Sequence, residues 1–286
     1  MDLKVAIQYA QLVNAAYAVP TNDPEDRAGK PVNAGIGAAS TDYQVVSSIF
    51  ANDLATDMNP GGGKSRVSIG LILQAKESGE AVVAIRGTEG IKEWIQDAKF
   101  LAVPCPFLAG AGNTEDGFTD MYKSMAIGVA AGAASVTSSL GALKWLKPVS
   151  SLTICGHSLG GALATLLALD VAANAGAPFN NPVVYTYASP RTGDATFVNM
   201  YNHLVPNTSR IANRVDLVPK LPLPPLYDHV LGFYDLSSVR LLPLPPKVLV
   251  NPDPLCSHIL TTYLYLLSVA AGVGGFDLAP NCKPAI

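Results

Sequence analysis

The chain has 286 residues, enough for one large domain or two small ones. Hydrophobic residues make up 49% and charged residues 14%, so a sizeable core can be buried. The net charge of −3 and the lack of any Lys/Arg cluster exclude a phosphate-tracking surface, and no nucleic-acid partner is expected.

Residues 1–20 place apolar side chains at Leu3, Ala6, Ile7, Ala10, Val13 and Tyr17, a helical spacing. Asp2, Gln8, Gln11 and Asn14 interrupt any signal-peptide core, so an amphipathic helix of the folded domain is expected. The chain then reads as cytoplasmic or as a secreted mature form whose leader Met1 replaces; the secreted form is the expectation. No apolar run reaches the length of roughly 18–20 residues that spans a bilayer. Strands are expected at 43–49, 67–75, 81–86, 151–155, 183–188 and 210–213, several as continuous Val/Ile/Leu runs buried on both faces. Helices are expected at 116–140, 159–174, 194–203 and 257–271. Residues 52–65 read as a Gly/Asn-rich turn, and 220–254, rich in Pro and Leu, as an irregular segment. This alternation predicts a mostly parallel central sheet flanked by helices, in one domain spanning 1–286.

The strongest motif is Gly156-His157-Ser158-Leu159-Gly160-Gly161, between the apolar strand at 151–155 and an Ala/Leu-rich helix. Strand, tight turn and helix are the surroundings of a nucleophile elbow, which exposes a serine hydroxyl and aims helix N–H groups at developing negative charge. Ser158 is the candidate nucleophile, and a Ser hydroxyl needs a histidine to take its proton. His157 lies in the turn and reads as structural, and His203 as a surface residue, which leaves His229 and His258. The acid should follow a later strand, where Asp216 stands in Arg214-Val215-Asp216-Leu217-Val218-Pro219. Gly63-Lys64-Ser65 mimics the end of a phosphate-binding loop, but Met58 occupies the first glycine position and nucleotide binding is dismissed.

The chain resembles the class 3, fungal-lipase-like lipases over about residues 81–263. The resemblance rests on Ile85-Arg86-Gly87-Thr88, Gly90-Ile91-Lys92-Glu93-Trp94, Asp116-Gly117-Phe118, Ser189-Pro190-Arg191-Thr192-Gly193, the Asp216 segment with Leu221-Pro222, and Cys256-Ser257-His258 followed by Tyr263. It implies an α/β-hydrolase fold with a short lid helix over 89–100. It also implies His258 as the base, a structural role for His229, and an oxyanion hole at Thr88 and Leu159. The family's histidine two residues before Gly-Phe is absent, with Glu115 preceding Asp116-Gly117-Phe118, which is expected to change loop packing rather than chemistry. Ile91, Trp94 and Ile95 form one apolar stripe expected to contact substrate and, transiently, a lipid interface. The residues at 221–225 and 241–246 could wall an acyl groove. The implied activity is hydrolysis of carboxylic esters, foremost triacylglycerols, with no cofactor and no metal. Short-chain, aryl or feruloyl esterase and phospholipase activities stay open, as does an inactive binding protein on the same fold.

Cys155 is expected as a buried thiol. A disulfide between Cys256 and Cys282, or one using Cys105, is left open by the sequence. One sequon, Asn207-Thr208-Ser209, is of the kind that arises by chance.

Overall fold

A computed structural model describes residues 1–18, 37–52, 66–88, 100–128, 134–236 and 253–283. The strands among them are β1 (Tyr43–Asn52), β2 (Arg66–Ala75), β3 (Ala81–Ile85), β4 (Ala102–Pro104), β5 (Asn113–Glu115), β6 (Ala126–Ile127), β7 (Leu152–His157), β8 (Val183–Tyr187), β9 (Thr208–Ala212) and β10 (Phe233–Asp235). The helices are α1 (Leu3–Ala18), α2 (Asp116–Ser124), α3 (Val136–Ser139), α4 (Leu159–Asn174), α5 (Ala195–Leu204), α6 (Pro254–His258) and α7 (Leu260–Ala270). The expected turn at 52–65 with Gly63-Lys64-Ser65, the lid at 89–100 with Ile91, Trp94 and Ile95, and the wall at 241–246 fall outside the described residues, apart from Asn52 and Phe100.

An eight-stranded sheet runs in the order β10-β9-β8-β7-β3-β2-β1-β6. Pairing is parallel from β3 through β7, β8 and β9 to β10, and antiparallel from β3 through β2 and β1 to β6. Residues 76–80, between β2 and β3, are too few for a crossover, so that pair closes as a hairpin. Between β3 and β7, and between β7 and β8, the chain has length to cross over, and those strands run parallel.

The sheet separates two apolar layers, and strand alternation feeds both. In β3, Ala81, Val83 and Ile85 join the layer containing α2, α4 and α5, while Val82 and Ala84 join the layer under α1 and α7. Helix α4 is buried from Leu159 to Val171, with apolar residues around its whole circumference, as a central helix requires. Helix α1 buries Ala6, Ile7, Ala10 and Val13 against the other face, which bears out its expected amphipathic stripe.

Three expectations change. The helix expected over 116–140 ends at Ser124; residues 126–127 pair with Ile49 and Phe50 as β6, and α3 follows at 136–139. The apolar run at 125–127 fits helix or strand equally, and the open edge of β1 decides. The helix expected over 257–271 is broken at Ile259, whose ψ of 144° is extended. Inside the expected irregular segment, Phe233–Asp235 pairs in parallel with Arg210–Ala212 as the edge strand β10.

Candidate active site

The parallel register of β3 and β7 pairs Ile85 with Gly156, so the residues that follow each strand emerge side by side. Those residues are Arg86-Gly87-Thr88 after β3 and Ser158 after β7, whose last residue is His157. Small residues make the closeness feasible. A Cβ on Gly156 would lie 2.1 Å from the Gly160 carbonyl oxygen, and one on Gly160 would lie 2.4 Å from the carbonyl oxygens of Ile85 and Arg86. A Cβ on Gly87 would lie 2.9 Å from the Cβ of Ser158.

Ser158 turns the chain from β7 into α4 with φ 58° and ψ −129°, a conformation that costs a non-glycine residue about 1–3 kcal/mol. The turn is held by the Ser158 N–H donating to the Tyr187 carbonyl at 2.9 Å and the Gly161 N–H donating to the Ser158 carbonyl at 2.8 Å. Leu159 opens α4, so its N–H belongs to the helix N-terminus. Thr88 stands two residues beyond Arg86, whose side chain donates to the carbonyls of Ser68 at 3.0 Å and Gly87 at 2.8 Å and braces this stretch.

Asp216 follows β9, and His258 closes α6. The structure brings them together with Ser158. The His258 Nε2 lies 2.8 Å from the Ser158 Oγ, and its Nδ1 lies 2.9 and 3.1 Å from the two Asp216 carboxylate oxygens. A carboxylate only accepts, so Nδ1 carries the proton and Nε2 is left to accept from the serine hydroxyl. Asp216 is 1% exposed. Its carboxylate also accepts from the Tyr263 hydroxyl at 2.8 Å and from the Val218 N–H at 3.0 Å. Tyr263 in turn accepts the Asn213 N–H at 3.1 Å. A disulfide joins Cys256, two residues before His258, to Cys282. Cys105 and Cys155 are buried free thiols.

His229 is elsewhere. Its Nε2 donates to the Pro219 carbonyl at 2.6 Å, so it supports the loop that follows Asp216. Burial, then the Arg210 guanidinium, push its pKa down to about 3. His203 is exposed on α5. His157 is buried, its Nδ1 2.7 Å from the Tyr17 hydroxyl and its Nε2 2.8 Å from the His258 carbonyl oxygen. Burial, then proximity to His258, hold it well below the usual histidine range. Glu115 caps α2, its carboxylate accepting the Phe118 N–H at 2.8 Å, so the side chain in the family's variant loop stabilises a helix start.

Sequence reading missed Tyr17 as a partner of His157, Tyr263 as a partner of Asp216, and Glu115 as the cap of α2. Glu115 carried a local signal, an acidic residue three positions before the bonded N–H, and Tyr263 stood in the His258 motif without its partner being readable. Among the described residues, no group of three or more His, Cys, Asp or Glu side chains is gathered as a metal site. No helix among them is long and apolar enough to cross a membrane.

The chain is similar to known proteins. The family described as Lipase (class 3) matches residues 82–225, half of the chain. Secreted mono- and diacylglycerol lipase 1 of Fusarium solani is 29% identical over 215 residues, covering 75% of this chain and 57% of the relative. Phospholipase A1-II 3 of Oryza sativa subsp. indica is 33% identical over 225 residues, covering 70% and 52%. The chain thus spans little more than half the length of these curated relatives. Among solved structures, the Lip2 lipase of Yarrowia lipolytica superposes with a TM-score of 0.58 at 22% identity, covering 89% of this chain and 82% of that one, a likeness of fold. The alternating layers, the serine elbow and the matched stretch agree: the chain belongs to the class 3 lipase family and has the α/β-hydrolase fold.

Proposed function

We propose that the chain is a serine carboxylic-ester hydrolase acting foremost as a triacylglycerol lipase, built as one α/β-hydrolase domain over 1–286. The observation that carries this reading is the continuous hydrogen-bonded line from Ser158 Oγ through His258 to Asp216. In this reading Ser158 attacks the ester carbonyl while His258 Nε2 takes its proton. Asp216 fixes the imidazole tautomer and stabilises the imidazolium. The protonated His258 then delivers the proton to the leaving alcohol, and water, activated by the same ring, releases the acid from the acyl-enzyme. The oxyanion is received by the N–H groups of Leu159 and Thr88, each worth about 3–4 kcal/mol to the transition state.

Fungal relatives whose names specify mono- and diacylglycerol lipases support an acylglycerol substrate. Their names also specify secretion, and the Cys256–Cys282 disulfide fits an oxidising compartment. The rice phospholipase A1 at 33% identity supports a second reading, a phospholipid ester at the same triad. The stripe Ile91, Trp94 and Ile95 is retained as the lid that meets the lipid interface, on its sequence pattern alone.

The test is hydrolysis by the parent chain and by Ser158→Ala, His258→Ala and His229→Ala, on a triacylglycerol emulsion, phospholipid vesicles and a soluble short-chain ester. Ser158→Ala and His258→Ala should each lose at least about 10³-fold in kcat, while His229→Ala keeps most activity. An unimpaired His258→Ala enzyme sinks the assignment. A parent chain with no activity above background on any ester would point to the binding-protein alternative.

A further inference from the structure

The ring of His157 touches the end of the base-bearing helix α6 on one side and the first helix of the chain on the other. A backbone carbonyl can only accept, so the 2.8 Å contact to the His258 oxygen requires a hydrogen on His157 Nε2. The buried ring is held neutral, chiefly by desolvation, which leaves Nδ1 bare. The Tyr17 hydroxyl, 2.7 Å away, therefore donates to Nδ1. The same phenol oxygen accepts the Gly87 N–H at 2.8 Å. One line of hydrogen bonds thus runs from Gly87 through Tyr17 and His157 to His258. Gly87 immediately precedes Thr88, and His258 carries the imidazole against Ser158. The line therefore ties both sides of the reaction centre to the last turn of α1.

We propose that Tyr17 and His157 form a positioning bridge that holds the oxyanion-side strand end and the end of the base-bearing helix α6 in register around Ser158. Neither group touches the reacting atoms. Tyr17 fixes where the Gly87–Thr88 backbone sits, and His157 fixes the main chain from which the His258 ring projects. The bridge keeps a second function for the neutral state of His157. Its ring centroid is 5.0 Å from that of His258, where a second cation would oppose the imidazolium that forms as Ser158 attacks. The inference rests on reading Ser158 and His258 as nucleophile and base.

Four variants test it: Tyr17→Phe, His157→Gln, His157→Leu and Tyr9→Phe. Tyr9 lies on the same helix and also spends its hydroxyl on a half-buried partner, Glu80 at 2.6 Å, so its loss is a stability control away from the triad. The readouts are kcat and KM on a soluble p-nitrophenyl ester, the rate of Ser158 labelling by a fluorophosphonate, and the thermal midpoint. Tyr17→Phe should lose about tenfold in kcat and in labelling rate with KM within about twofold, because alignment acts in the transition state. Tyr9→Phe should lower the thermal midpoint comparably and leave kcat unchanged. A glutamine at 157 offers one donor and one acceptor, so His157→Gln should keep activity within about threefold while His157→Leu loses about a hundredfold. The bridge is overturned if Tyr17→Phe keeps full kcat, if Tyr9→Phe loses activity in step with it, or if glutamine rescues no better than leucine. Should leucine prevent folding, the Tyr17→Phe and His157→Gln results decide alone. A parent chain whose Ser158 never labels would instead sink the nucleophile assignment, and with it any catalytic role for the bridge.

Discussion

Tyr263 gives Asp216 its second side-chain partner and takes the Asn213 N–H as well. Tyr263→Phe strands that buried N–H, a cost of about 1–3 kcal/mol, and loosens the carboxylate that orients His258. A lower midpoint in urea together with a several-fold lower kcat is the expected pair of changes. Buried His157 and half-buried His229 set a pH dependence of stability. His229 is pushed down to about 3 by burial and then by Arg210, and His157 is lowered by burial and then by His258. Both are neutral in the folded protein but titrate near 6.5 when unfolded. The unfolded chain therefore binds more protons as pH falls. Stability is full above about pH 6.5 and declines as pH falls below it, by about 1.4 kcal/mol per pH unit for each histidine, the His229 contribution continuing down to about pH 3. Urea unfolding between pH 7 and about 5 should show this slope, and His229→Gln should reduce it. A slope unchanged by that substitution would refute the assignment. Ser158, Asp216 and His258 were legible because each sits in a short motif and the three follow a fixed order. The partners of Tyr17 and Tyr263 were not, because the first reaches His157 and the second Asp216 across long stretches of chain that only folding brings together.

Helix α4 was legible from end to end, since an apolar run after a strand and a glycine-rich turn admits one reading. Its start tolerates no added atom. Gly160→Ala would press a methyl group to 2.4 Å from two backbone oxygens of β3 and its continuation, and overpacking of this kind costs about 1–3 kcal/mol or more. Loss of soluble, folded protein is expected, and a fully stable Gly160→Ala enzyme would show that α4 can shift away from β3. At α2 the cap is the point of weakness. Glu115→Ala removes the acceptor for the Phe118 N–H and should cost about 1 kcal/mol while leaving kcat on soluble esters unchanged. Where element boundaries escaped the sequence, long-range pairing was responsible. Residues 126–127 leave the helical pattern because β1 offers an edge. The break at Ile259 carries no Pro or Gly signal, yet it lets His258 end one helix while Tyr263 projects from the next.

At the scale of the molecule, the mostly parallel sheet was legible from the alternation of elements, whereas its antiparallel side followed from the short β2–β3 connection. The triad is drawn from the ends of β7 and β9 and from α6, so its geometry depends on the whole sheet. The Cys256–Cys282 disulfide adds a covalent tie beside His258. Replacing both cysteines by alanine should lower stability by about 2–4 kcal/mol and bring thermal inactivation to lower temperature. Equal half-lives with and without the tie would refute that. The last consequence concerns Cys155, which is fully buried beneath α1 with its Sγ 3.7 Å from the Tyr9 carbonyl oxygen. No reagent reaches this sulfur while α1 is docked, so in a Cys105→Ser background its modification rate is a clock for undocking. If the opening free energy read from that clock equals the free energy of global unfolding, α1 and the hydrolytic centre survive or vanish together. If it is smaller, the folded protein passes through a state in which Tyr17 has withdrawn from His157 and Gly87.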